Sequence, residues 1–509
     1  MSTRGSPVEA VRRLASDHAL ALIVALAAVL RFATLGVPSY WLDEYTSLTE
    51  THGSLSAVLD SVNHAEGGPP LYLLGLWGWR KLFGDGEIAI RSMSALLGTA
   101  TVPVAFAAAR ELASRRAGLF AAVLTATSPL MIWYSQEVRT YALLVFLAAL
   151  SFTFFAYALE RDEPGWLWGW AISSVLAFTT HYFAVVLIVP EAVWLLLRGP
   201  RVRTLIASAA MGAVGMTVLL LAGVNQQQDK VANVIRQLDR VDRVVSIPQH
   251  FVVGLSVPWR VLPVVVGVAL AAAVVYALRR ADLLTRDSFL LAGSVALAGF
   301  LLAVVPAFLG ADYVITRYVL ELWLPFAIAM AIALAVPSIG RLGIAAVVAL
   351  AVAGIALSTW NAATPAARRV NWDTVATALG PTAAKRVMVG PGYYVSVGLS
   401  VYLPNAHLAS RDERIVTRNL VLISLRQVPD YGIGPCFWGA VCGGEGLGGS
   451  GPPIKYSLSG DHPARWARRF RLVGSGSTPR VTFKVYRSKQ PTRVPAPDPG
   501  QVVIVQQPG

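Results

Sequence analysis

The residues of this chain with the types and spacing for chemistry lie in a few short stretches. Adjacent carboxylates, Asp43 and Glu44, stand between aromatics in Trp41-Leu-Asp-Glu-Tyr45. Two acids side by side at a low-dielectric boundary repel, which favours a proton on one of them and suits the pair to base chemistry near neutrality. A solvated loop with interfacial aromatic anchors is the competing reading. Arginines come next: Arg139 in Tyr134-Ser-Gln-Glu-Val-Arg-Thr-Tyr141 and Arg317 in Asp312-Tyr-Val-Ile-Thr-Arg-Tyr318. A guanidinium fork matches an anion such as a phosphate. An interfacial arginine can equally be a snorkelling residue, and Glu137 can simply pair with Arg139. The lone His181, followed by Tyr182, is more often of structural than of catalytic use.

Other chemistries are missing from the sequence. It has no His-x-x-x-His, no Cys-x-x-Cys and no Gly-rich phosphate loop ending in Lys-Ser/Thr. A nucleotide-driven pump is excluded on that ground. No cofactor is required by the sequence, which leaves the use of a divalent metal open.

The elements that must position these residues are membrane helices. Of 509 residues, 55% are apolar and 14% charged, with a mean hydropathy of +0.56. A soluble domain carries about a quarter of its residues as charges, so a large water-soluble enzyme is excluded. A chain this apolar is not disordered either. Stretches with the roughly 20 apolar residues a spanning helix needs lie near 19–35, 92–109, 117–133, 140–157, 166–180, 183–197, 204–223, 261–278, 288–309, 318–336 and 342–360. The expected fold is an all-α polytopic membrane protein of about eleven spans.

With the N-terminus in the cytoplasm, the inner connections hold 14 Lys and Arg in 52 residues and the outer ones 10 in 110. That bias sets the orientation, and an odd number of spans puts the C-terminal part outside. The expected location is the plasma membrane, multi-pass, with a cytoplasmic N-terminus. All the chemistry-bearing stretches then share the outer side. Gly67-Gly-Pro-Pro-Leu-Tyr-Leu-Leu-Gly-Leu-Trp-Gly-Trp79 is too short to span and reads as an interfacial helix begun by proline.

The expected organisation is a membrane domain at 1–360, with a first outer loop at 36–91, an extracytoplasmic α/β domain at 361–490 and a disordered Pro-rich tail at 491–509. Residues 361–509 carry 18 Lys and Arg against 7 Asp and Glu. That positive balance suits acceptor selection or simple attachment to anionic headgroups. It does not point to nucleic acid. Cys436 and Cys442, the only cysteines, favour a local disulfide, with free thiols as the alternative.

The order of the motifs carries a resemblance. Asp43-Glu44, Gly68-Pro-Pro-Leu-Tyr72, Arg91, Ser135-Gln-Glu-Val-Arg-Thr-Tyr141, Thr180-His-Tyr182 and Arg317-Tyr318 follow one another. The sequence thereby resembles the GT-C membrane glycosyltransferases, in particular bacterial proteins similar to family 39 mannosyltransferases and aminoarabinose transferases. The match is dense over about 20–200, thin to 335 and absent beyond. The resemblance implies inverting transfer of a mannose-like hexose or a pentose from a polyprenyl-phosphate donor to a lipid, glycan or protein hydroxyl at the outer leaflet. It implies Asp43 as base, with Glu44 beside it. Tyr72, Arg91, Glu137, Arg139, Tyr141, His181, Tyr182, Arg317 and Tyr318 are the implied substrate-binding residues. One departure stands out: relatives commonly have His directly before the Pro-Pro pair, where this chain has Gly68 and its nearest histidine is His64. The alternative function is a transporter or flippase of lipid-linked sugars. Its expected midplane ionisable residues and related halves are not evident in this sequence.

Overall fold

The computed structural model describes residues 7–64, 69–161, 163–221, 239–259, 261–364, 372–391, 401–403, 405–409, 415–425, 469–478, 481–494 and 501–508, with the single positions Ile235 and Leu399. Cys436, Cys442, Gly67 and Gly68 lie outside the described residues, as does the side chain of His64. The chain forms two compact units. One takes the residues up to Leu35 and Ser47–Thr359; the other takes Gly36–Thr46 and the residues from Trp360 on.

The first unit is helical. Its elements are α1 (Pro7–Phe32), α2 (Leu42–Glu50, shared with the second unit), α3 (Leu55–His64), α4 (Leu71–Phe83), α5 (Glu87–Leu112), α6 (Arg115–Thr127), α7 (Pro129–Tyr134), α8 (Tyr141–Glu160), α9 (Pro164–Phe178), α10 (Val185–Arg198), α11 (Arg201–Leu221), α12 (Arg240–Val253), α13 (Leu262–Arg279), α14 (Leu283–Phe308), α15 (Trp323–Leu334) and α16 (Arg341–Ala363). Each apolar stretch of the sequence coincides with one or more of these helices. Among the described residues, however, five helices are both long and apolar enough to cross a membrane: α5, α8, α13, α14 and α16. Apart from α1 and α11, with 26 and 21 residues, the others are shorter. α6 stops after 13 residues, about 20 Å of helix, because Ser128 turns extended and caps α7, donated to by the Met131 N–H, with Pro129 opening the new helix.

The lipid-facing surface is written in the exposed side chains. Val264, Val268, Leu297, Val348 and Val352 are large, apolar and open on α13, α14 and α16. Such rows face hydrocarbon in a membrane protein. The interior is aromatic and alanine-rich, with Phe152, Phe155, Trp170, Ala331 and Ile332 buried together. One polar clasp crosses it. Glu191 of α10 accepts hydrogen bonds from Ser151 of α8 (2.6 Å) and Trp170 of α9 (2.8 Å).

The second unit is a six-stranded sheet with helix α17 (Trp372–Leu379). The strands are β1 (Arg386–Pro391), β2 (Ala406–Leu408), β3 (Val416–Leu425), β4 (Arg471–Ser477), β5 (Val481–Arg493) and β6 (Gln501–Gln506), in the order β2-β6-β1-β3-β5-β4. β1 and β3 are parallel and the remaining pairs antiparallel. Alternation sends Met388, Val421, Ile423 and Ile504 to the face covered by α17, and Val387, Val389, Leu420, Leu422, Val503 and Val505 to the other. This corrects the expected disordered tail at 491–509. Between Pro499 and Pro508 the run Gln501-Val-Val-Ile-Val-Gln506 has no proline and is β-branched enough to pair with both β1 and β2.

Candidate active site

A cavity of about 280 Å³ opens in the first unit, lined by side chains from six separate stretches. They include Ser47 and Glu50 of α2, Tyr72 of α4, Arg139 and Tyr141 at the start of α8, His181 to Phe183 after α9, and Tyr313 and Tyr318 before α15. Five tyrosines and a phenylalanine stand in its wall among polar side chains such as Glu50, Arg139 and His181, as in sites that hold a small ligand by ring contact and hydrogen bonds.

The Ser-Gln-Glu-x-Arg-x-Tyr turn divides its labour. Ser135 accepts a hydrogen bond from Arg31 Nε (3.2 Å), and Gln136 donates to the carbonyls of Leu30 and Arg31 and to Thr34. Glu137 is buried, takes the Trp133 indole N–H at 2.6 Å, and its carbonyl accepts from Ser94. These contacts fasten the turn to the ends of α1 and α5. Arg139 and Tyr141 are left to line the cavity, with Arg139 donating to Ser47 at 3.3 Å.

Arg31 is a residue the sequence reading missed. It is wholly buried near the end of α1 and donates to the carbonyls of Thr125 and Ala126, satisfying the last turn of α6 where the helix breaks. A Cβ on Gly98 would overlap the side chain of Ser135, so this junction demands glycine. The available signal was a cation inside an apolar run.

The segment that leads to Arg317 is held by a latch from α12. Arg243 binds both oxygens of Asp312 (2.7 and 3.0 Å) and Arg240 binds one (2.9 Å), while His250 shares a 2.7 Å hydrogen bond with Thr316. Burial pushes the Asp312 carboxyl up, but the two guanidiniums outweigh it and hold it below the ordinary carboxylate range. Arg317 itself lies over the Tyr318 ring, 5.5 Å from its centroid.

His181 ties the cavity together. Its ring neighbours Tyr318 (5.1 Å), Phe183 (5.8 Å) and Tyr141 (6.3 Å), and Nδ1 accepts the Phe183 N–H. Burial first, then the positive charges of Arg139 and Arg317, push its pKa down to about 3. Both arginine charges are therefore felt at one imidazole, which stays neutral. A group whose folded pKa is depressed from 6.5 gives stability that is full above 6.5 and is lost as pH falls towards 3. His181→Gln is accordingly expected to keep the pH profile of activity between 6 and 8 unchanged, whereas His181→Lys, which adds a third cation, should lose most activity. A pH–rate profile of each variant checks this.

Of the other expected residues, Tyr182 lines the cavity beside His181, whereas Arg317 lies outside the lining. Arg91 is buried outside the lining, paired with Glu87 (3.0 Å) and donating to the Leu35 carbonyl (2.8 Å). That geometry holds the end of α1 rather than presenting a cation to the cavity. Asp43 and Glu44 start α2 within the Gly36–Thr46 segment. Glu44 is buried and takes the Trp41 N–H at 3.3 Å. At about 100° per residue, Asp43 shares its helix face with Ser47 and Glu50, and Glu44 does not. Glu50 is the cavity carboxylate that the sequence reading passed over. Among the described residues no three His, Cys, Asp or Glu side chains gather as a metal site.

Residues 67–224 match the family model of dolichyl-phosphate-mannose-protein mannosyltransferase. Among curated proteins nothing matches at a significant level. Among solved structures the chain is similar to apo ArnT from Cupriavidus metallidurans, with a TM-score of 0.56, 13% identity and coverage of 92% of this chain and 98% of that one. The same protein bound to undecaprenyl phosphate gives a TM-score of 0.53 at 14% identity, covering 91% and 97%. The family match thus takes in the cavity-lining stretches between Pro69 and Phe183, and the fold is ArnT-like along nearly the whole length of the chain.

Proposed function

We propose that this enzyme transfers a sugar, a mannose-like hexose or a pentose, from a polyprenyl-phosphate donor to a hydroxyl of a lipid, glycan or protein acceptor at the outer face of the membrane. The observation that carries the reading is the joint action of Arg139 and Arg317 on neutral His181 at an aromatic-walled cavity. Two guanidinium charges that both reach one neutral imidazole suit an anion nearby, and aromatic rings in the wall suit the faces of a sugar ring. The undecaprenyl phosphate bound by ArnT, a protein of the same fold, supports a lipid phosphate as that anion.

In this mechanism Asp43 takes the proton of the acceptor hydroxyl while its oxygen attacks the anomeric carbon from the face opposite the phosphate. The C–O bond to the donor breaks, configuration inverts, and the leaving polyprenyl phosphate carries its new charge into the field of Arg139 and Arg317. Asp43 is favoured over Glu44 because it shares the α2 face of two cavity-lining residues, Ser47 and Glu50. The test is transfer of radiolabelled sugar from a polyprenyl-phosphate donor in detergent. Product formation without a membrane separates catalysis from transport, and no transfer with any hexose or pentose donor would overturn the reading.

The orientation belongs to the same proposal, with a cytoplasmic N-terminus and an extracytoplasmic C-terminal domain. In a background lacking Cys436 and Cys442, an exposed cysteine replacing Ser56 of α3 is expected to react with an impermeant maleimide on intact cells. One replacing the exposed Ala113, between α5 and α6, is expected to react only after lysis. The opposite pattern would reverse the topology.

A further inference from the structure

We propose that the C-terminal domain is the positioning element for the acid-bearing segment of the first outer loop. This rests on the reading of Asp43 as base. Gly36–Thr46 packs with the residues from Trp360 on, as one compact unit, although more than 300 residues separate them in the chain. Two hydrogen bonds make the grip. The Trp372 N–H donates to Ser39 Oγ at 2.9 Å, and the Tyr40 N–H donates to Tyr402 Oη at 2.7 Å. Their separations along the chain are 333 and 362 residues. Ser39, Tyr40 and Trp372 are all buried, and the Tyr40 and Tyr402 rings lie 6.5 Å apart at 31°.

The grip reaches the core of the domain. Trp372 opens α17, and its side chain packs with Val375, Met388, Val421 and Phe483 against the sheet. Asp43 follows Tyr40 by three residues, in the first turn of α2. A helix start has its direction set by the residues that enter it, so the partners of Ser39 and Tyr40 fix where that turn begins. On the membrane side the segment is pinned one residue earlier, by Arg91 at the Leu35 carbonyl. The domain thus acts on the reaction through Asp43, without supplying a reacting group of its own.

The test uses the full-length protein with Cys436 and Cys442 replaced by serine and a reporter cysteine at position 43. Its rate of reaction with a small maleimide reads the freedom of the segment and needs no substrate. Ser39→Ala and Tyr402→Phe, which each remove one acceptor, are expected to raise that rate at least threefold. Ser39→Thr, which keeps the hydroxyl, should restore it, and the rate at a control cysteine replacing Ser56 should not move. In the enzyme with Asp43 intact, the same two variants should lower kcat about tenfold with the KM for polyprenyl-phosphate sugar unchanged. Unaltered rates at position 43 in both variants, or a kcat equal to wild type, would overturn the positioning role while leaving Asp43 as base. Activity in Asp43→Asn would instead overturn the base assignment and leave the labelling result standing.

Discussion

Asp43→Asn is expected to fold and insert as wild type does and to lose sugar transfer by about 10²–10⁴, the usual worth of a general base. The amide preserves size and keeps a hydrogen-bonding group at the first turn of α2, so the loss isolates the proton-accepting function. Glu44→Gln is the informative partner. Glu44 is buried and spent on the Trp41 N–H, and an amide oxygen can accept the same bond, so its loss should be much smaller. Radiolabelled transfer under saturating donor distinguishes the two. If Asp43→Asn stays within a few fold of wild type and Glu44→Gln is inactive, the roles are exchanged.

The second large effect is expected at the cations. Removing one charge-stabilising donor from a transfer site typically costs about 10²–10³ in rate, and Arg317→Ala should fall in that range in kcat/KM. Arg317→Lys should recover part of it, because an ammonium keeps the charge and loses the two-pronged geometry. Arg139 should respond likewise, with an added penalty from its lost bond to Ser47. A further readout follows from His181. With either arginine replaced by alanine, one of the two charges that depress the imidazole is gone, so its pKa should rise from about 3 towards the ordinary value. Equal activity of Ala, Lys and Arg at both positions would place the phosphate elsewhere.

Much of this arrangement was legible in the sequence, for physical reasons that differ by residue. Arg139, Tyr141, His181, Tyr182, Tyr72 and Tyr318 stood in short polar or aromatic interruptions between apolar runs, and the structure gathers all six around one cavity. Arg91 and Glu137 stood in equally distinctive places but lie outside the cavity lining, bonded to Leu35, Glu87 and Trp133, because a motif records that a residue is demanded and not by what. Glu50 was passed over since nothing local marks 42–50 as a helix, and only a helix brings it onto the face of Asp43. Residues 501–506 were hidden by the prolines before them, although period-two alternation of burial was already available in the Val-Val-Ile-Val run. The attachment of residues 36–46 to the C-terminal domain had no signal at all, since contacts across more than 300 positions leave no local pattern.

The place of β6 in the sheet has a consequence for how the enzyme comes into being. Residues 501–506 lie between β2 and β1, hydrogen-bonded to both, so β2 has no partner until they arrive. The sheet therefore closes only after residues 501–506 have been translated, when α1 and the other early helices have long been available for packing. Pairings between such distant positions are slow to form, because the loop between them must be closed first. Ser39 and Tyr40 likewise wait for Trp372 and Tyr402, which are translated more than 300 residues after them. A chain stopped before residue 501 would carry the helices and the cavity of the first unit without the closed sheet.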